Sequence, residues 1–498
     1  MNIALILQMM TDAAPDRVAI CGAGQRLTYG ALDAAARRLA ASLAGEPDGS
    51  LVFLAENHPA AAVALFGAAL AGRPYVPVNY RLTDAEIAAL LDRAQPCRIV
   101  SDRAVEGHAA VSPDALTITR ADDVPRDFVG DDGAAVAVEL FTSGTTGSPK
   151  AALLRHEHLL AYILGTVEFL GAGEEEAALI TVPPYHIAGI SALMSNVYAG
   201  RRIVLLPAFS PEAWLTLARE ESVTSAFLVP TMVQRIVAHA ARHPGSAALP
   251  ALRSIAYGGG RMPRDTIEAA MTLWPQVDFT NAYGLTETSS TICLLTPDDH
   301  RAAAVATEEC ARARIGSVGQ PLPGIDLAIF DDDGAALAGG ETGLVYVRGD
   351  QVAGEYREQG ALRNADGWFC TRDRGWIDEA GYLFLDGRAD DIIVRGAENI
   401  SPGEIEAVLC QHPSVREAAV FGVPDSEWGE AVAAAIITAE DDDIAAQELQ
   451  DFVHAHLRSS RVPQHIRIVA ELPHNEMGKL LRRRLRDEFS ESRESFHD

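Results

Sequence analysis

Helix-like and strand-like segments alternate along the first half of the sequence, and this alternation constrains the fold more than any other feature. Thr28 can cap a helix in which apolar residues recur at intervals of three and four, and residues 51–54 have an apolar strand pattern. Residues 60–71 have the pattern of a buried helix, and strand patterns return at 224–229 and 252–257. Because parallel strands are joined by crossover helices, the sequence predicts an α/β fold built on parallel sheets.

Local signals predict three further helices. Thr83 and Glu86 can form a capping box that opens one helix, and Pro263 suits the first turn of the helix after the strand at 252–257. A basic helix is expected at 480–486.

The pattern changes near residue 315, where short strands with tight turns replace the alternation. Residues 343–348 form one such strand, and residues 374–385 form a hairpin. Beyond residues 386–388, a helix pattern at 402–410 and a strand pattern at 418–423 indicate a separate α+β unit. We therefore expect a small β subdomain and then a small C-terminal domain, joined at 386–388.

The composition excludes several classes of protein. With 41 basic and 69 acidic residues the net charge is −28, whereas a protein that coats nucleic acid needs a basic face. No apolar run reaches the ~18 residues of a membrane span, and the N-terminus lacks the basic segment of a signal peptide. The six cysteines form no C-x-x-C pair, which is typical of a reduced protein without a zinc site. We expect a cytoplasmic protein that binds no nucleic acid and does not span a membrane.

Lysine is almost absent. Only Lys150 and Lys479 interrupt a set of 41 basic residues that are otherwise all arginine. A GC-rich coding sequence explains the excess of arginine. If codon bias favours arginine, the two remaining lysines are expected at positions where a planar guanidinium does not replace a compact ammonium.

Lys150 ends a loop of small and hydroxyl-bearing residues, TSGTTGSPK at 142–150. Beside small residues, backbone N–H groups can approach an anion, while hydroxyls add donors and the lysine adds a positive charge. The Walker pattern G-x-x-x-x-G-K-[ST] does not fit this segment. We interpret the loop as a polyphosphate cradle, with a flexible surface hairpin as the alternative.

The loop resembles the phosphate loop of the adenylate-forming superfamily, which comprises acyl-CoA synthetases, luciferases and adenylation domains. Further motifs follow in order: NAYGLTE at 281–287, GRADDII at 387–393, GAENISPGEIE at 396–406 and GK at 478–479. The resemblance spans nearly the whole chain and is closest to acyl- and aryl-CoA ligases. It implies a large N-terminal domain of stacked α/β sheets (1–386), a hinge (387–390) and a mobile C-terminal lid domain (391–498) that carries a catalytic lysine.

The resemblance also implies roles for individual residues. The expected catalytic residues are Lys479, Glu287 and His186, the expected metal ligands are Thr142 and Glu287, and the expected hinge residue is Asp390. The expected ATP and AMP contacts are Thr142, Ser143, Gly144, Thr145, Thr146, Gly147, Lys150, Gly258, Gly259, Asn281, Ala282, Tyr283, Gly284, Thr286, Asp373 and Arg388.

Several of these residues have a second interpretation. Tyr283 can stack on adenine and Glu287 can hold Mg²⁺ beside the phosphates, but a carboxylate can also be simply exposed. Gly258 and Gly259 either let a flat base approach the backbone or form a turn. In the family, the positions of Asp373 and Arg388 hold the ribose and a phosphate. An exposed ion pair is the alternative.

Two segments depart from the family pattern. The family usually has glycine before the aspartate of its aromatic-x-T-G-D segment, and Arg372 stands there in this chain. The segment before Gly478-Lys479 is usually rich in arginine and threonine in the family, whereas residues 474–477 here are HNEM. These departures put the loop details in doubt but not the roles of Asp373 and Lys479. In the family, the lysine stabilises charge that builds on the α-phosphoryl group.

The acid is expected to bind a pocket formed by Tyr185, His186, Ala188, Gly189, Tyr257, Gly258 and Thr288. Between Pro183 and Ser195 no acidic residue could hold the ammonium of an amino acid, and Ala188 and Gly189 suggest a roomy apolar pocket. A histidine after two prolines is as often structural as functional, so His186 has two interpretations. We expect the substrate to be a hydrophobic carboxylic acid.

The implied reaction has two steps. The carboxylate and Mg·ATP form an acyl-adenylate and pyrophosphate, and a thiol then displaces AMP. The expected cofactors are ATP, Mg²⁺ and coenzyme A, and the alternative acceptor is an external carrier protein in natural-product biosynthesis. A luciferase-like oxygenase and a non-catalytic nucleotide sensor are weaker alternatives. The sequence leaves the oligomeric state open, with a homodimer as one option.

Overall fold

The structure is a computed structural model that describes residues 1–118, 132–142, 149–395, 398–425, 428–439, 444–474 and 480–494. Three sets of predicted residues lie outside these ranges: Ser143 to Gly147 of the loop, two residues of the 396–406 motif, and Lys479. The chain divides into two compact units. Unit 1 comprises Met1–Leu327 and Val347–Phe369, and unit 2 comprises Ala328–Tyr346 and Cys370–Asp498.

The strands are β1 Val18–Gly22, β2 Gln25–Thr28, β3 Ser50–Leu54, β4 Tyr75–Pro77, β5 Cys97–Ser101, β6 Ala110–Val111, β7 Val136–Thr142, β8 Lys150–Arg155, β9 Ala177–Ile180, β10 Arg202–Leu205, β11 Ser225–Leu228, β12 Ser254–Gly258, β13 Asp278–Leu285, β14 Ser290–Leu295, β15 Gln320–Pro321, β16 Asp326–Phe330, β17 Gly343–Arg348, β18 Glu355–Tyr356, β19 Gly360–Ala361, β20 Phe369–Ile377, β21 Leu383–Arg388, β22 Ile393–Arg395, β23 Glu398–Ile400, β24 Val415–Asp425, β25 Gly429–Thr438 and β26 His465–Ile468.

The helices are α1 Ala4–Ala13, α2 Tyr29–Leu43, α3 Ala60–Leu70, α4 Asp84–Ala94, α5 Pro113–Thr117, α6 His156–Thr166, α7 Ile187–Ala199, α8 Pro211–Glu220, α9 Pro230–Arg242, α10 Arg264–Leu273, α11 Pro297–Val305, α12 Glu309–Ala313, α13 Pro402–Leu409, α14 Ala446–His456 and α15 Arg482–Glu494. Short 3-10 turns lie at Thr286–Thr288, Arg314–Gly316, Ala389–Asp391 and Ser459–Arg461.

Unit 1 contains two sheets with mainly parallel centres. The first has the order β15-β14-β13-β12-β11-β9-β10-β1-β2, in which the strands from β13 to β1 run parallel to their neighbours. The second has the order β19-β18-β8-β7-β4-β3-β5-β6, with parallel pairing from β7 to β6. These parallel sheets confirm the α/β expectation for this part of the chain.

The main apolar core of unit 1 joins the two sheets. Every residue of α3 is buried, as expected for a helix packed on both sides. Its side chains pack in one cluster with residues of β3 and β7 from the second sheet and β1 and β10 from the first. Burial of apolar surface, which stabilises a fold by about 25 cal/mol per Å², therefore ties the sheets into one body.

The predicted caps are confirmed, with one small difference. The Thr28 hydroxyl accepts a hydrogen bond from the Ala31 amide at 3.2 Å, and Thr83 and Glu86 form a reciprocal capping box at the start of α4. We expected Pro263 in the first turn of its helix, but it is the residue before α10. Its ψ of 139° is extended, so the helix begins one residue later.

Unit 2 contains a sheet of order β16-β17-β20-β21 and another of order β23-β22-β25-β24, in which β26 also pairs with β25. The expected hairpin is confirmed by β20 and β21, where the rings of Trp376 and Phe384 stack at 4.2 Å. Apolar clusters cover both faces of the β24–β25 pair. We expected a basic helix at 480–486, but α15 begins at Arg482 and continues to Glu494.

None of the helices in the described ranges is both long and apolar enough to cross a membrane. All six cysteines are described, and no disulfide joins any of them.

Candidate active site

The two ends of the expected phosphate loop are paired in the second sheet. Thr142 at the end of β7 lies opposite Lys150 at the start of β8. The Thr142 hydroxyl donates to the Lys150 carbonyl at 3.4 Å. The antiparallel pairing of β7 with β8 therefore holds Thr142 and Lys150 side by side, and the residues between them, Ser143 to Ser148, lie outside the described ranges.

Arg93, on α4, braces the base of this β7–β8 hairpin. Its guanidinium donates to the Pro149 carbonyl at 2.7 Å, pairs with Glu358 and lies over the Phe141 ring at 4.9 Å. Glu358 in turn accepts a hydrogen bond from the Ala151 amide at 3.2 Å. Contacts to Phe141, Pro149 and Ala151 hold both stems of the hairpin at a set position.

A buried carboxylate lies two residues before Phe141. Glu139 is fully buried in β7 and pairs with Arg357, which also donates to the Arg93 carbonyl at 2.9 Å. Burial raises the pKa of the Glu139 carboxyl, and the positive charge of Arg357 opposes that rise. The pair thus joins the Arg93 brace to the strand beneath the loop.

Lys150 and Glu287 belong to distant motifs, yet both contact Tyr356. The Lys150 ammonium lies 5.9 Å from the Tyr356 ring centroid and donates to the Gln359 side chain at 3.4 Å. The Tyr356 hydroxyl donates to the Glu287 carboxylate, and the Gly354 amide donates to the Glu287 carbonyl at 2.9 Å. The structure therefore brings the expected phosphate-binding lysine and the expected metal ligand to one residue of β18.

The segment 355–359 was missed by sequence reasoning. Each of its five residues contacts the loop hairpin, its strands or Glu287, with Glu355 adding a bidentate pair to Arg155 at 2.8 and 2.9 Å. The only local signal is a run of charged and polar residues. The pairing of Tyr356 with Ala152 of β8 is a long-range contact that no periodicity reveals.

The motif 281–287 forms β13 and the turn after it. Asn281 is buried and donates to the Ser317 carbonyl at 3.1 Å, so its amide holds the strand in place. A Cβ on Gly284 would lie 1.9 Å from the Ser290 carbonyl, and one on Gly258 would lie 2.2 Å from the Ala282 carbonyl. Both glycines are therefore required by close strand approach, whatever else binds there.

Hydrogen bonds of Thr288 stabilise the turn that contains Glu287. Its buried hydroxyl donates to the Ser290 carbonyl at 2.7 Å and accepts from the Leu285 amide at 2.9 Å. Ser289 follows in the left-handed region with φ +56°. The hydroxyl of Thr288 is used within the turn, and its expected place in the acid pocket stays a prediction.

The predicted pocket residues Tyr185 and His186 are neighbours with unsatisfied polar atoms. Their rings lie 4.6 Å apart, and Tyr80 packs edge-on against Tyr185 at 5.5 Å. Neither Tyr185 Oη nor His186 Nε2 has a hydrogen-bond partner among the described residues. Burial lowers the pKa of His186 to about 4, and the charge of Arg81 adds to the effect. His186 is thus neutral at pH 7.

Gly189 allows a close packing contact at the start of α7. A Cβ there would lie 2.7 Å from the Pro183 carbonyl, because the first turn of α7 folds back on the segment before it. Close packing therefore explains the glycine, and its place in the acid pocket stays a prediction.

Tyr257, another expected pocket residue, is buried and hydrogen-bonded to a histidine. It is fully buried, and its hydroxyl lies 2.8 Å from Nε2 of His300. His300 Nδ1 lies 2.8 Å from the Thr296 carbonyl, which can only accept. Nδ1 therefore carries the proton, Nε2 accepts from Tyr257, and burial keeps the pKa of His300 low.

In unit 2, Asp373 and Arg388 lie opposite each other at the open end of the hairpin. They form an ion pair at 3.4 Å, and the Asp373 amide donates to the Thr371 hydroxyl at 3.1 Å. Asp373 is buried, and the Arg388 side chain is partly exposed. An ion pair is thus present but its carboxylate is buried, unlike the exposed pair of the alternative, and a role in nucleotide binding stays a prediction.

The oxygen donors in unit 1 fit a magnesium ion. Mg²⁺ prefers one or two carboxylates together with waters and phosphate oxygens. Glu287 supplies the carboxylate and Thr142 a hydroxyl, and the turn that carries Glu287 contacts β8. In the described ranges no group of three or more His, Cys, Asp or Glu side chains could enclose a metal by itself.

Two family models match the chain. Residues 8–357 match the AMP-binding enzyme model, and residues 404–479 match the model of the AMP-binding enzyme C-terminal domain.

Named relatives match nearly the whole length. Feruloyl-CoA synthase from Amycolatopsis sp is 33% identical, with 96% of each chain covered. The fatty acid–[acyl-carrier-protein] ligase ScoC from Streptomyces coeruleorubidus is 31% identical, covering 95% of this chain and 94% of the relative.

A solved enzyme has the same fold. The o-succinylbenzoate CoA synthetase MenE from Bacillus subtilis, in complex with its acyl-adenylate intermediate, has a TM-score of 0.81 and 29% identity, covering 97% of this chain and 98% of that one. The same enzyme in complex with ATP and a magnesium ion has a TM-score of 0.80 and 28% identity, with 96% and 98% covered.

Proposed function

Because the chain belongs to the family of AMP-binding enzymes, we propose that it activates a hydrophobic carboxylic acid with ATP and passes the acyl group to coenzyme A. In the first step a carboxylate oxygen attacks the α-phosphorus and pyrophosphate leaves. In the second step the thiol sulfur attacks the acyl carbon, AMP leaves and the thiol proton is released. An adenylate provides the leaving group that a free carboxylate lacks.

The relatives confirm the coarse expectations from the sequence. They confirm the superfamily, the α/β fold with a small C-terminal domain, and the identity of the protein as an AMP-forming acid–thiol ligase. ATP with magnesium and an acyl-adenylate are named in the complexes of the solved relative, and CoA in the names of the ligases. The expected cofactors agree with these names.

The observation that carries the proposal is the meeting of Lys150, Glu287 and Tyr356 in unit 1. Lys150 supplies a positive charge for phosphate oxygens at the mouth of the loop, and Glu287 and Thr142 would hold Mg²⁺. A bound Mg²⁺ neutralises charge on the phosphates during transfer. Tyr356 orients the Glu287 carboxylate, and the Arg93 brace fixes the hairpin from which Lys150 extends.

We assign the remaining roles on the resemblance. Lys479 would stabilise the attack on the α-phosphorus, Asp373 and Arg388 would hold the nucleotide, and Asp390 would be the hinge between domains 1–386 and 391–498. ATP and CoA are supplied in the cytoplasm, which is where we place the protein. A homodimer stays a prediction.

The acid is proposed to enter beside the aromatic group formed by Tyr80, Tyr185 and His186. Their rings provide an apolar surface. A neutral His186 adds no charge that would favour a second carboxylate. Ferulate, an aromatic acid with a single carboxylate for which a relative is named, is the first candidate.

A screen of acids by pyrophosphate release tests the first step, and AMP formation with CoA tests the second. We expect pyrophosphate from at least one hydrophobic acid and full turnover to AMP only when CoA is added. A carrier protein is the second acceptor to test, because one relative is a carrier-protein ligase. Acylation of a pantetheinylated carrier, without thioester on free CoA, would overturn the CoA assignment.

A further inference from the structure

Arg372 adopts a backbone conformation that arginine normally avoids. Its φ is +61°, in the left-handed region where Cβ crowds the following carbonyl oxygen. Glycine adopts this region without cost, and glycine is what the family pattern usually has at this position. The arginine therefore needs a compensating interaction.

The side chain of Arg372 makes such an interaction with the expected hinge. Its guanidinium lies 3.2 Å from Oδ1 of Asp390, 18 residues further along the chain. Asp390 is the middle residue of the 3-10 turn Ala389–Asp391, which follows β21 directly. Glycine has no side chain with which to reach this carboxylate, so the contact exists only because of the departure from the family.

The neighbouring contacts explain why this pair can act on the hinge. Asp373, the next residue, pairs with Arg388, so two successive residues of β20 hold the residues on either side of Ala389. From beyond the hinge, the Ser401 hydroxyl donates to the Asp386 backbone carbonyl and lies 2.9 Å from its Oδ1. The segment 386–390 is therefore attached at three points in this arrangement.

In the family, the C-terminal domain rotates between the two half-reactions about the residue that matches Asp390. We propose that Arg372 is a positioning residue that holds Asp390 in one of these two hinge arrangements and thereby sets the balance between the half-reactions. The proposal rests on the proposed function and on the hinge role of Asp390. An ion pair that exists in one arrangement stabilises it at the expense of the other. Loss of the pair therefore speeds one half-reaction and slows the other.

Three variants separate this role from a structural one. Arg372→Gly removes the pair and the unfavourable φ together, so the fold is retained. Arg372→Lys keeps the charge. Arg374→Ala is the matched control, because Arg374 lies on the same strand and its side chain pairs with Asp332 at 3.0 Å, which is not a hinge residue.

The rates to measure are pyrophosphate release from acid and ATP, and thioester formation from supplied acyl-adenylate and CoA. In Arg372→Gly we expect the ratio of the two rates to change about two- to fivefold, with the rates moving in opposite directions, as for an ion pair that is partly exposed. Arg372→Lys should restore most of the ratio, and Arg374→Ala should leave it unchanged. Rates in Arg372→Gly that fall together, or do not change, would overturn the proposal.

A double variant and hydrogen exchange give independent answers. If the pair is the cause, Asp390→Asn added to Arg372→Gly should not change the ratio further. Amide exchange of residues 388–392 should be faster in Arg372→Gly without any substrate, and an unchanged rate would refute the contact. If no acid releases pyrophosphate in the wild type, the proposed function fails, while the exchange experiment still decides whether Arg372 restrains Asp390.

Discussion

The hydroxyl of Tyr356 donates a hydrogen bond to the carboxylate of Glu287. The two residues are 69 positions apart, on a short strand of the second sheet and a turn of the first. The same tyrosine ring lies beside the ammonium of Lys150. One aromatic residue therefore sets the distance between a cation and an anion that come from separate motifs.

Tyr356→Phe should weaken the adenylation step. A hydrogen bond to a charged group contributes about 1.5–3 kcal/mol, so we expect adenylation to fall about 10- to 100-fold. Thioester formation from supplied acyl-adenylate should stay near the wild-type rate. Tyr162→Phe, on α6, is the matched control. Equal loss in both half-reactions would contradict a role in orienting Glu287.

Each lysine should resist replacement by arginine. Lys150→Arg and Lys479→Arg keep the charge but change a compact ammonium into a planar fork. Pyrophosphate release should fall at least about tenfold in each. The reverse exchange at an exposed ion pair is the control: Arg264→Lys, in the Arg264–Glu268 pair, should leave pyrophosphate release unchanged. Full activity in both variants would mean that codon bias alone explains the two lysines.

Lys479→Ala should separate the half-reactions. Adenylation should fall by orders of magnitude, because the ammonium acts on charge that develops only as the carboxylate attacks. Thioester formation from supplied acyl-adenylate should continue. If both half-reactions are lost equally, the lysine has a different role.

The Glu139–Arg357 pair should control stability below neutral pH. Burial raises the folded pKa of Glu139, so the folded protein binds more protons than the unfolded chain between the two pKa values. The free energy of unfolding therefore falls as pH rises through that window. Arg357→Met should raise the folded pKa of Glu139 further, so that the fall in stability extends to higher pH. It should also lower the free energy of unfolding at neutral pH by about 2 kcal/mol, since the buried carboxylate loses its compensating positive charge.

The pH profile can be measured by thermal unfolding between about pH 4 and pH 7. Glu139→Gln should remove the fall in stability across the window. The double variant Glu139→Leu with Arg357→Met should recover much of the stability lost in Arg357→Met, because an apolar pair needs no compensating charge. A profile for Arg357→Met that matches the wild type would contradict this account.

Gly189→Ala distinguishes packing from pocket volume. The added Cβ would meet the Pro183 carbonyl at 2.7 Å. We therefore expect the melting temperature to fall, together with a weaker apparent affinity for the acid, because His186 is the residue directly before α7. If Gly189 only provided room, stability would be unchanged and only bulky acids would be affected. Gly165→Ala, on α6, serves as the control and should leave both the melting temperature and the affinity unchanged, because its added Cβ would meet no described atom within 4 Å.

Local patterns predicted most elements of the fold. The cap at Thr28, the box at Thr83 and Glu86, the buried helix α3 and the hairpin of β20 and β21 all depend on residues close together in sequence. Periodicity and capping report such neighbours directly. The position of the helix start at Arg264, by contrast, was missed by one residue, because Pro263 is compatible with an extended cap and with a first turn.

The sequence by itself determined the family, the order of the motifs and the chemical types available at the site, because these depend on which residues occur and in what order. Only the tertiary structure decided which distant groups meet. Arg93 reaches Glu358 across 265 positions, Tyr257 bonds His300, and Arg372 reaches Asp390. These contacts depend on how strands pair and helices pack, and a carboxylate in a sequence carries no sign of the cation that the fold will place beside it.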